Sequence, residues 1–267
     1  MTIREYVNAD IPAMKTLWQR VFAEDERFLD AFFRLLPDVG SAVVACDSGV
    51  LLGAAYALTG FEWQDADGRR TQIGYLYAVA VDESERGRGI GAALSAAAAE
   101  LCRKRESKIV ATLPAEAPLY GWYEKAIGTK HLLRREARSV AARKTVDIIK
   151  LTGTEYMLWR ENLLRGKSFV RPSYPMLELQ RTLCEAYGGG LYASEHGILA
   201  AYRERDTLLV REILCAAGDP ADSAASAAAV LGCADAVFYT PCAVGGEAYV
   251  TADTALAPDT VWNLTLD

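Results

Sequence analysis

Histidine is almost absent from this chain, occurring only at His131 and His196, and the six cysteines are scattered without one CxxC pair. A zinc site needs several such ligands at close spacing, so no metal is expected. The same scatter reads as reduced thiols in a cytoplasmic protein. Positive charge is in deficit: 29 Lys and Arg stand against 35 Asp and Glu, for a net charge of −6. With no basic block, the chain lacks the electrostatic footprint of nucleic-acid binding. Long apolar runs are missing too, since every stretch falls short of the roughly 18 residues of a spanning helix. The start, Met1 to Tyr6, carries charge where a signal peptide needs an apolar core. Neither a nucleic-acid nor a membrane partner is expected.

What is present is the profile of a globular protein, with 51% hydrophobic and 24% charged residues. At 267 residues the chain can hold one large domain or two of ordinary size. Residues 3–7 read as a short strand. Asp10 then caps a helix with Pro12 in its first turn and Met14, Leu17, Trp18, Val21 and Phe22 on one face. A second helix carries Phe28, Leu29, Phe32, Leu35 and Leu36, and Pro37 with Gly40 is expected to end it. Two strands follow around the turn Asp47-Ser48-Gly49, then the polar turn 64–68 and a long strand to Val81. The end of that strand, Tyr75 to Val81, has no polar alternation, which suits a central strand covered on both faces. A loop and helix come next, then a strand from Lys108 to Leu113, a helix around 117–126 and a strand around 132–142.

Near Lys144 the order restarts. Ala45-Cys46-Asp47-Ser48-Gly49-Val50-Leu51 is answered by Ala193-Ser194-Glu195-His196-Gly197-Ile198-Leu199. Val237 to Pro241 repeats the strand-then-proline shape of Ile109 to Pro114. Two echoes in the same order point to a tandem duplication. The expected domains are 1–145 and 146–267, with no low-complexity linker between them.

The residues that carry chemistry lie in Arg86-Gly87-Arg88-Gly89-Ile90-Gly91, between a buried strand and a helix. Glycines at alternate positions let successive backbone N–H groups turn inward. Together with the unsatisfied donors of the helix N-terminus they form a concave anion site, and Arg86 and Arg88 add charge that can meet phosphate. A pyrophosphate fits best. A Walker loop would continue Gly-Lys-Ser/Thr, whereas Gly91 is followed by Ala92-Ala93. A dinucleotide fingerprint needs G-x-G-x-x-G, and here the glycines fall at 87, 89 and 91. The plain alternative is a glycine-rich turn with both arginines in solvent.

The stretch Ala78-Val79-Ala80-Val81, four residues, then Arg-Gly-Arg-Gly-Ile-Gly resembles the signature of the GNAT N-acetyltransferase superfamily, R/Q-x-x-G-x-G/A after a hydrophobic strand. The order of elements over roughly residues 1–145 agrees with that family. The resemblance implies an α/β fold of α+β type, a mixed central sheet flanked by helices. It implies acetyl-CoA as cosubstrate, with the strand end Val79-Ala80-Val81 pairing its pantetheine arm through the backbone of Val79 and Val81. It also implies that N–H groups from Gly87 to Ala92, beside Arg86, Arg88 and Ile90, hold the pyrophosphate. The second half is similar to a degenerate copy of the same fold.

Acyl transfer to an amine needs a neutral amine, stabilisation of the oxyanion, and a proton for the departing thiolate. The family resemblance implies that a bulge in the Tyr75–Val81 strand supplies an N–H for the oxyanion. No Ser-His or Cys-His pairing is evident, which suits direct attack by the amine. In the family a Tyr followed by Gly-Phe donates the proton. Here Tyr123-Glu124-Lys125-Ala126-Ile127-Gly128 is similar, with Gly one residue late and no Phe. Tyr120 lies one turn earlier on the same face. A phenol of pKa ~10 can protonate a thiolate of pKa ~8–9. Tyr123 is favoured over Tyr120, against the reading in which both pack an aromatic cluster with Trp122. No general base stands out: Glu62, Asp65 and Asp67 sit in or beside a polar turn, and His131 and His196 read as structural or surface residues.

In the second half the corresponding loop reads Ala216-Ala217-Gly218-Asp219-Pro220-Ala221-Asp222, with one glycine, two carboxylates and no cation. That half is expected not to hold CoA. The resemblance therefore implies an N-acetyltransferase, expected to act on a small-molecule or peptide amine as a monomer or homodimer. An idle acyl-CoA-binding sensor or scaffold and a phosphate-binding enzyme of another fold are the rival readings.

Overall fold

The computed structural model describes residues 1–266. Contacts divide the chain into two compact units. The first comprises residues 1–63, 70–133 and 248–256; the second comprises 64–69, 134–247 and 257–267. The expectation from sequence set one boundary at 145/146. In the structure the chain crosses at 133/134 instead, and a late segment returns to the first unit.

The first unit opens with β1 (Thr2–Glu5), α1 (Ile11–Phe22) and α2 (Glu26–Val39). Asp10 stands at the N-cap of α1, but its carboxylate makes no cap bond. It accepts instead from Arg4 at 2.7 and 2.9 Å and from the Val7 N–H at 2.8 Å, and these bonds, Arg4's first, hold it below the usual carboxylate range. Asp25 does cap α2, accepting from the N–H groups of Arg27 and Phe28. Pro37 does not end that helix, which runs to Val39. A proline this close to the C-terminus removes one bond from a turn that is ending anyway. The stop comes at Gly40, where an added Cβ would lie 2.2 Å from the Ala57 carbonyl oxygen.

There follow β2 (Gly40–Asp47), β3 (Val50–Gln64), β4 (Arg70–Val81), α3 (Ile90–Lys104), β5 (Ile109–Thr112) and α4 (Ala117–Ile127). Strand neighbours in this unit run β1-β2-β3-β4-β5, with β1–β2 and β2–β3 antiparallel and β4–β5 parallel. Against one face α1 and α2 bring an aromatic cluster around Trp18, whose ring centroid lies 4.8 Å from Phe32, 4.7 Å from Tyr56 and 5.6 Å from Tyr77. Against the other, Ile90, Leu94, Ala98 and Cys102 of α3 pack on Ala55, Ala57, Leu76 and Val110. The small alanines let the helix approach closely, as its composition suggests.

The second unit contains most of β6 (His131–Ala141), then β7 (Ile149–Lys150), α5 (Gly153–Leu163), β8 (Phe169–Pro172) and α6 (Tyr174–Ala186). It continues with β9 (Gly190–Ser194), β10 (Gly197–Glu204), β11 (Thr207–Cys215), α7 (Pro220–Val230) and β12 (Asp235–Pro241). Strand β13 (Glu247–Ala252) follows, and from Ala248 onward it belongs to the first unit. Strand neighbours in the second unit run β6-β12-β11-β10-β9-β7.

The echoes seen in the sequence fall on equivalent pieces. The hairpins β2–β3 and β9–β10 both close with a two-residue turn, Asp47 facing Val50 and Ser194 facing Gly197. The echo of Ile109 in Val237 falls on β5 and β12, each the parallel partner of the strand before its helix. The buried charges of the second unit have no counterpart among the described residues of the first. Arg160 and Glu212, both fully buried, meet through two bonds of 2.9 and 3.1 Å, and the Tyr156 hydroxyl donates to Glu212 at 3.0 Å.

Candidate active site

The parallel ladder between β4 and β5 has four rungs and ends at Leu76 facing Thr112, while β4 continues to Val81. Just past the last rung Ala78 takes φ = 47°, a left-handed conformation costing an L-residue roughly 1–2 kcal/mol. This is a bulge, and its effect on side chains is visible. Leu76, Val79 and Val81 all pack toward α3. In an unbroken strand Leu76 and Val79 would face opposite ways. The strand therefore bulges at Ala78, between the last rung with β5 and the end that carries Val79, Ala80 and Val81.

Beyond Val81 the backbone N–H of Asp82 bonds to Leu52 of β3 at 2.9 Å, and residues 83–85 form one 3-10 turn. The Asp82 carboxylate ties this turn: it accepts from the Ser84 N–H at 3.1 Å, the Ser84 hydroxyl at 2.8 Å and Arg20 of α1 at 2.8 Å. These bonds, Ser84's first, hold its carboxyl below the ordinary range. Gly87 and Gly89 then take φ = 78° and 76°, with open space where a Cβ would stand. Gly89 is the N-cap of α3 and has no side chain to bond the helix donors. Ala93 is the first to find an acceptor, the Gly89 carbonyl at 3.1 Å. Among the described residues, the N–H groups of Gly87, Arg88, Gly89, Ile90, Gly91 and Ala92 have no acceptor within the chain. These unbonded donors stand at the positive end of a helix dipole.

The two loop arginines differ. Arg88 is paired with Glu85, whereas Arg86 makes no ion pair among the described residues. Both arginines were expected to add charge that can meet phosphate; Arg88 shares its guanidinium with Glu85, and Arg86 does not. Ile90 is buried and anchors the helix start in the core, while a Cβ at Gly91 would touch Trp122 at 3.5 Å and Val81 at 3.7 Å.

Tyr123 lies on α4 with its side chain buried to 8% exposure, in edge contact with Trp122. Burial pushes its phenol above the ordinary tyrosine range, and the Thr112 hydroxyl beside it partly offsets this. Thr112 itself donates to the Leu76 carbonyl at 3.0 Å, so Tyr123 stands at the apex where β4 and β5 part. Tyr120 is engaged elsewhere, its hydroxyl donating to the Ala248 carbonyl at 2.7 Å. Gly128, one residue late for the family pattern, is the left-handed C-cap of α4.

The remaining candidates scatter. Asp65 closes its own turn by accepting the Arg69 N–H at 2.8 Å, Asp67 is exposed, and Glu62 faces Arg70. His131 begins β6, and the His196 ring lies where a Cβ on Gly218 would be 2.8 Å away. In the second unit the loop before α7 has its own cap, since the Asp219 carboxylate accepts from Ala221 at 3.0 Å and Pro220 has no N–H. Sequence reasoning missed Asp82, Arg20 and Thr112. Asp82 carried a weak signal, an Asx-turn residue two positions before a serine.

Residues 2–125 match the family model for the Acetyltransferase (GNAT) domain. The match takes in a little under half of the chain and identifies that stretch as a GNAT acetyltransferase domain. Solved structures agree in fold. A GCN5-related N-acetyltransferase from Kribbella flavida superposes with a TM-score of 0.67 at 15% identity, covering 94% of this chain and 70% of that one. A conserved protein of unknown function from Enterococcus faecalis V583 gives 0.68 at 13%, with coverages of 94% and 72%. A GCN5-related N-acetyltransferase from Anabaena variabilis gives 0.65 at 12%, with 94% and 72%. No curated protein matches the chain by sequence. Among the described residues, no helix is long and apolar enough to cross a membrane.

Proposed function

We propose that the protein transfers an acetyl group from acetyl-CoA to the primary amine of a small molecule or peptide, at one site in the first unit. The observation that carries this reading is the alignment of three features along one strand end: the parting of β4 from β5 at Leu76, the bulge at Ala78, and six N–H donors from Gly87 to Ala92. A pyrophosphate suits the donor array and Arg86. The pantetheine arm, which carries amide groups, suits the edge of β4 at Val79 to Val81, where the ladder with β5 has ended.

In the reaction the neutral amine attacks the thioester carbonyl directly, forming the C–N bond. A strand N–H freed by the bulge stabilises the oxyanion. As the C–S bond breaks, the thiolate takes a proton from the Tyr123 hydroxyl, the new amide nitrogen loses its proton to water, and the Tyr123 phenolate regains a proton from water. The phenol is protonated at neutral pH and so can act as the donor. The second unit, whose equivalent loop is filled by Asp219 and Pro220, acts as a degenerate copy without a cofactor site of its own.

The test is release of free thiol from acetyl-CoA in the presence of a panel of amines, including polyamines, aminoglycosides and lysine. Turnover with any amine above the rate without one supports the reading. Tight CoA binding with no turnover across the panel would instead make the protein an acyl-CoA sensor.

A further inference from the structure

The helix that carries Tyr123 is held from one side by residues that lie more than a hundred positions later in the chain. Strand β13 runs antiparallel to β5, with Thr251 facing Thr112 and Ala252 facing Ala111. Its far end clamps the same strand a second time. Asp253 donates its N–H to the Val110 carbonyl at 2.9 Å, its carboxylate accepts the Val110 N–H at 2.9 Å, and Arg103 of α3 pairs with it at 3.0 Å. The Lys130 N–H, just after α4, bonds to Ala252 at 3.0 Å. At the near end, the Tyr120 hydroxyl donates to Ala248 at 2.7 Å. Segment 248–253 thus touches α4 one turn before Tyr123 and the chain just after the helix, and it pairs with β5 at Thr112, the residue beside the Tyr123 hydroxyl.

We infer that residues 248–253 are a positioning element of the acetyltransferase site, with Tyr120 as its anchor on the helix that carries Tyr123. This rests on the functional reading above. Tyr120 is then a positioning residue rather than an alternative acid, because its proton is engaged by a backbone carbonyl. The domain delimited by the family model, residues 2–125, lacks a strand that its own site uses.

Two changes in the full-length chain test this. Tyr120→Phe removes the bond to Ala248, and Asp253→Ala removes those to the Val110 N–H and Arg103. Each is expected to lower kcat about three- to tenfold, the worth of one ordinary hydrogen bond. Calorimetry with CoA itself should give a Kd within about twofold of wild type, because the phosphate loop is untouched. The basic limb of the kcat profile should stay where wild type has it. Asp253→Asn keeps an acceptor for Val110 and should recover most of the loss, which a general loss of folding would not allow; thermal melts run beside each variant. Wild-type kcat in both Tyr120→Phe and Asp253→Ala overturns the inference. Loss of the basic limb in Tyr120→Phe also overturns it, by making Tyr120 the acid. Wild-type protein that neither binds CoA nor releases thiol sinks the functional reading and this inference together, whereas an active wild type with unaltered variants sinks this inference alone.

Discussion

Leu76 and Thr112 form the last rung of the parallel ladder, and the Thr112 hydroxyl donates to the Leu76 carbonyl oxygen at 3.0 Å. This side-chain bond seals the two strands just before they part. It also places the end of β5 beside Tyr123 on the following helix. Local backbone chemistry and the proposed proton donor thus share one residue.

The first prediction concerns that donor. The working form of Tyr123 is the protonated one, and its pKa is raised by burial. As pH rises through the free tyrosine value of about 10, a donor with a raised pKa keeps its proton. The basic limb of kcat should therefore lie above that value rather than at it. Tyr123→Phe should lower kcat by about 10²-fold or more with CoA affinity unchanged. Unchanged turnover would remove Tyr123 from the mechanism.

The loop arginines should separate in a binding experiment. Arg86 makes no ion pair among the described residues, and a charge-assisted bond to phosphate is worth about 1.5–3 kcal/mol. Arg86→Ala should weaken CoA binding about tenfold or more, and the loss should shrink as salt rises. Arg88→Ala should cost about threefold or less, because Arg88 already has Glu85 as partner. Titration calorimetry at two ionic strengths distinguishes these outcomes; equal losses would show that the Arg88–Glu85 pair opens on binding.

At Ala78 the backbone and not the side chain is at issue. Glycine adopts φ = 47° without the Cβ clash, so Ala78→Gly should raise stability by about 1 kcal/mol, less the entropy it returns to the unfolded chain. Ala78→Val, branched at Cβ, should destabilise by at least as much. Urea midpoints at constant m-value test the pair, and a Val variant as stable as wild type would argue against strain at the bulge.

The buried Arg160–Glu212 pair offers a stability test in the second unit. Arg160→Met leaves the Glu212 carboxylate buried with only the Tyr156 hydroxyl, and breaking such a pair costs about 3–5 kcal/mol. Removing both charges in Arg160→Met/Glu212→Leu should recover much of that loss. A single variant with the wild-type urea midpoint would show that the pair contributes little to folding.

What could be read early was local. The glycine loop was legible because its conformation depends on which residues lack a Cβ over six positions, and the structure repeats that spacing in Gly87 and Gly89. The two hairpins were legible because their turns are two residues long and flanked by apolar runs. Pro37 misled because a rule about helix interiors was applied in a last turn, where the lost bond matters little. Asp10 misled for a related reason: it occupies a cap position, but Arg4 and the Val7 N–H compete for its carboxylate.

The GNAT-like signature, the glycine loop and the helix bearing Tyr123 follow from the sequence alone, since each is written in residues close enough to meet along the chain. The division of labour among them came with the tertiary fold. It set Arg88 against Glu85, turned Tyr120 to Ala248, buried Tyr123 beside Thr112 and returned residues 248–256 to the first unit. Periodicity records which way a side chain faces, but not which distant strand will supply its partner. That choice is made when edge strands with unpaired N–H and C=O groups find each other across long stretches of chain, and no local pattern encodes it.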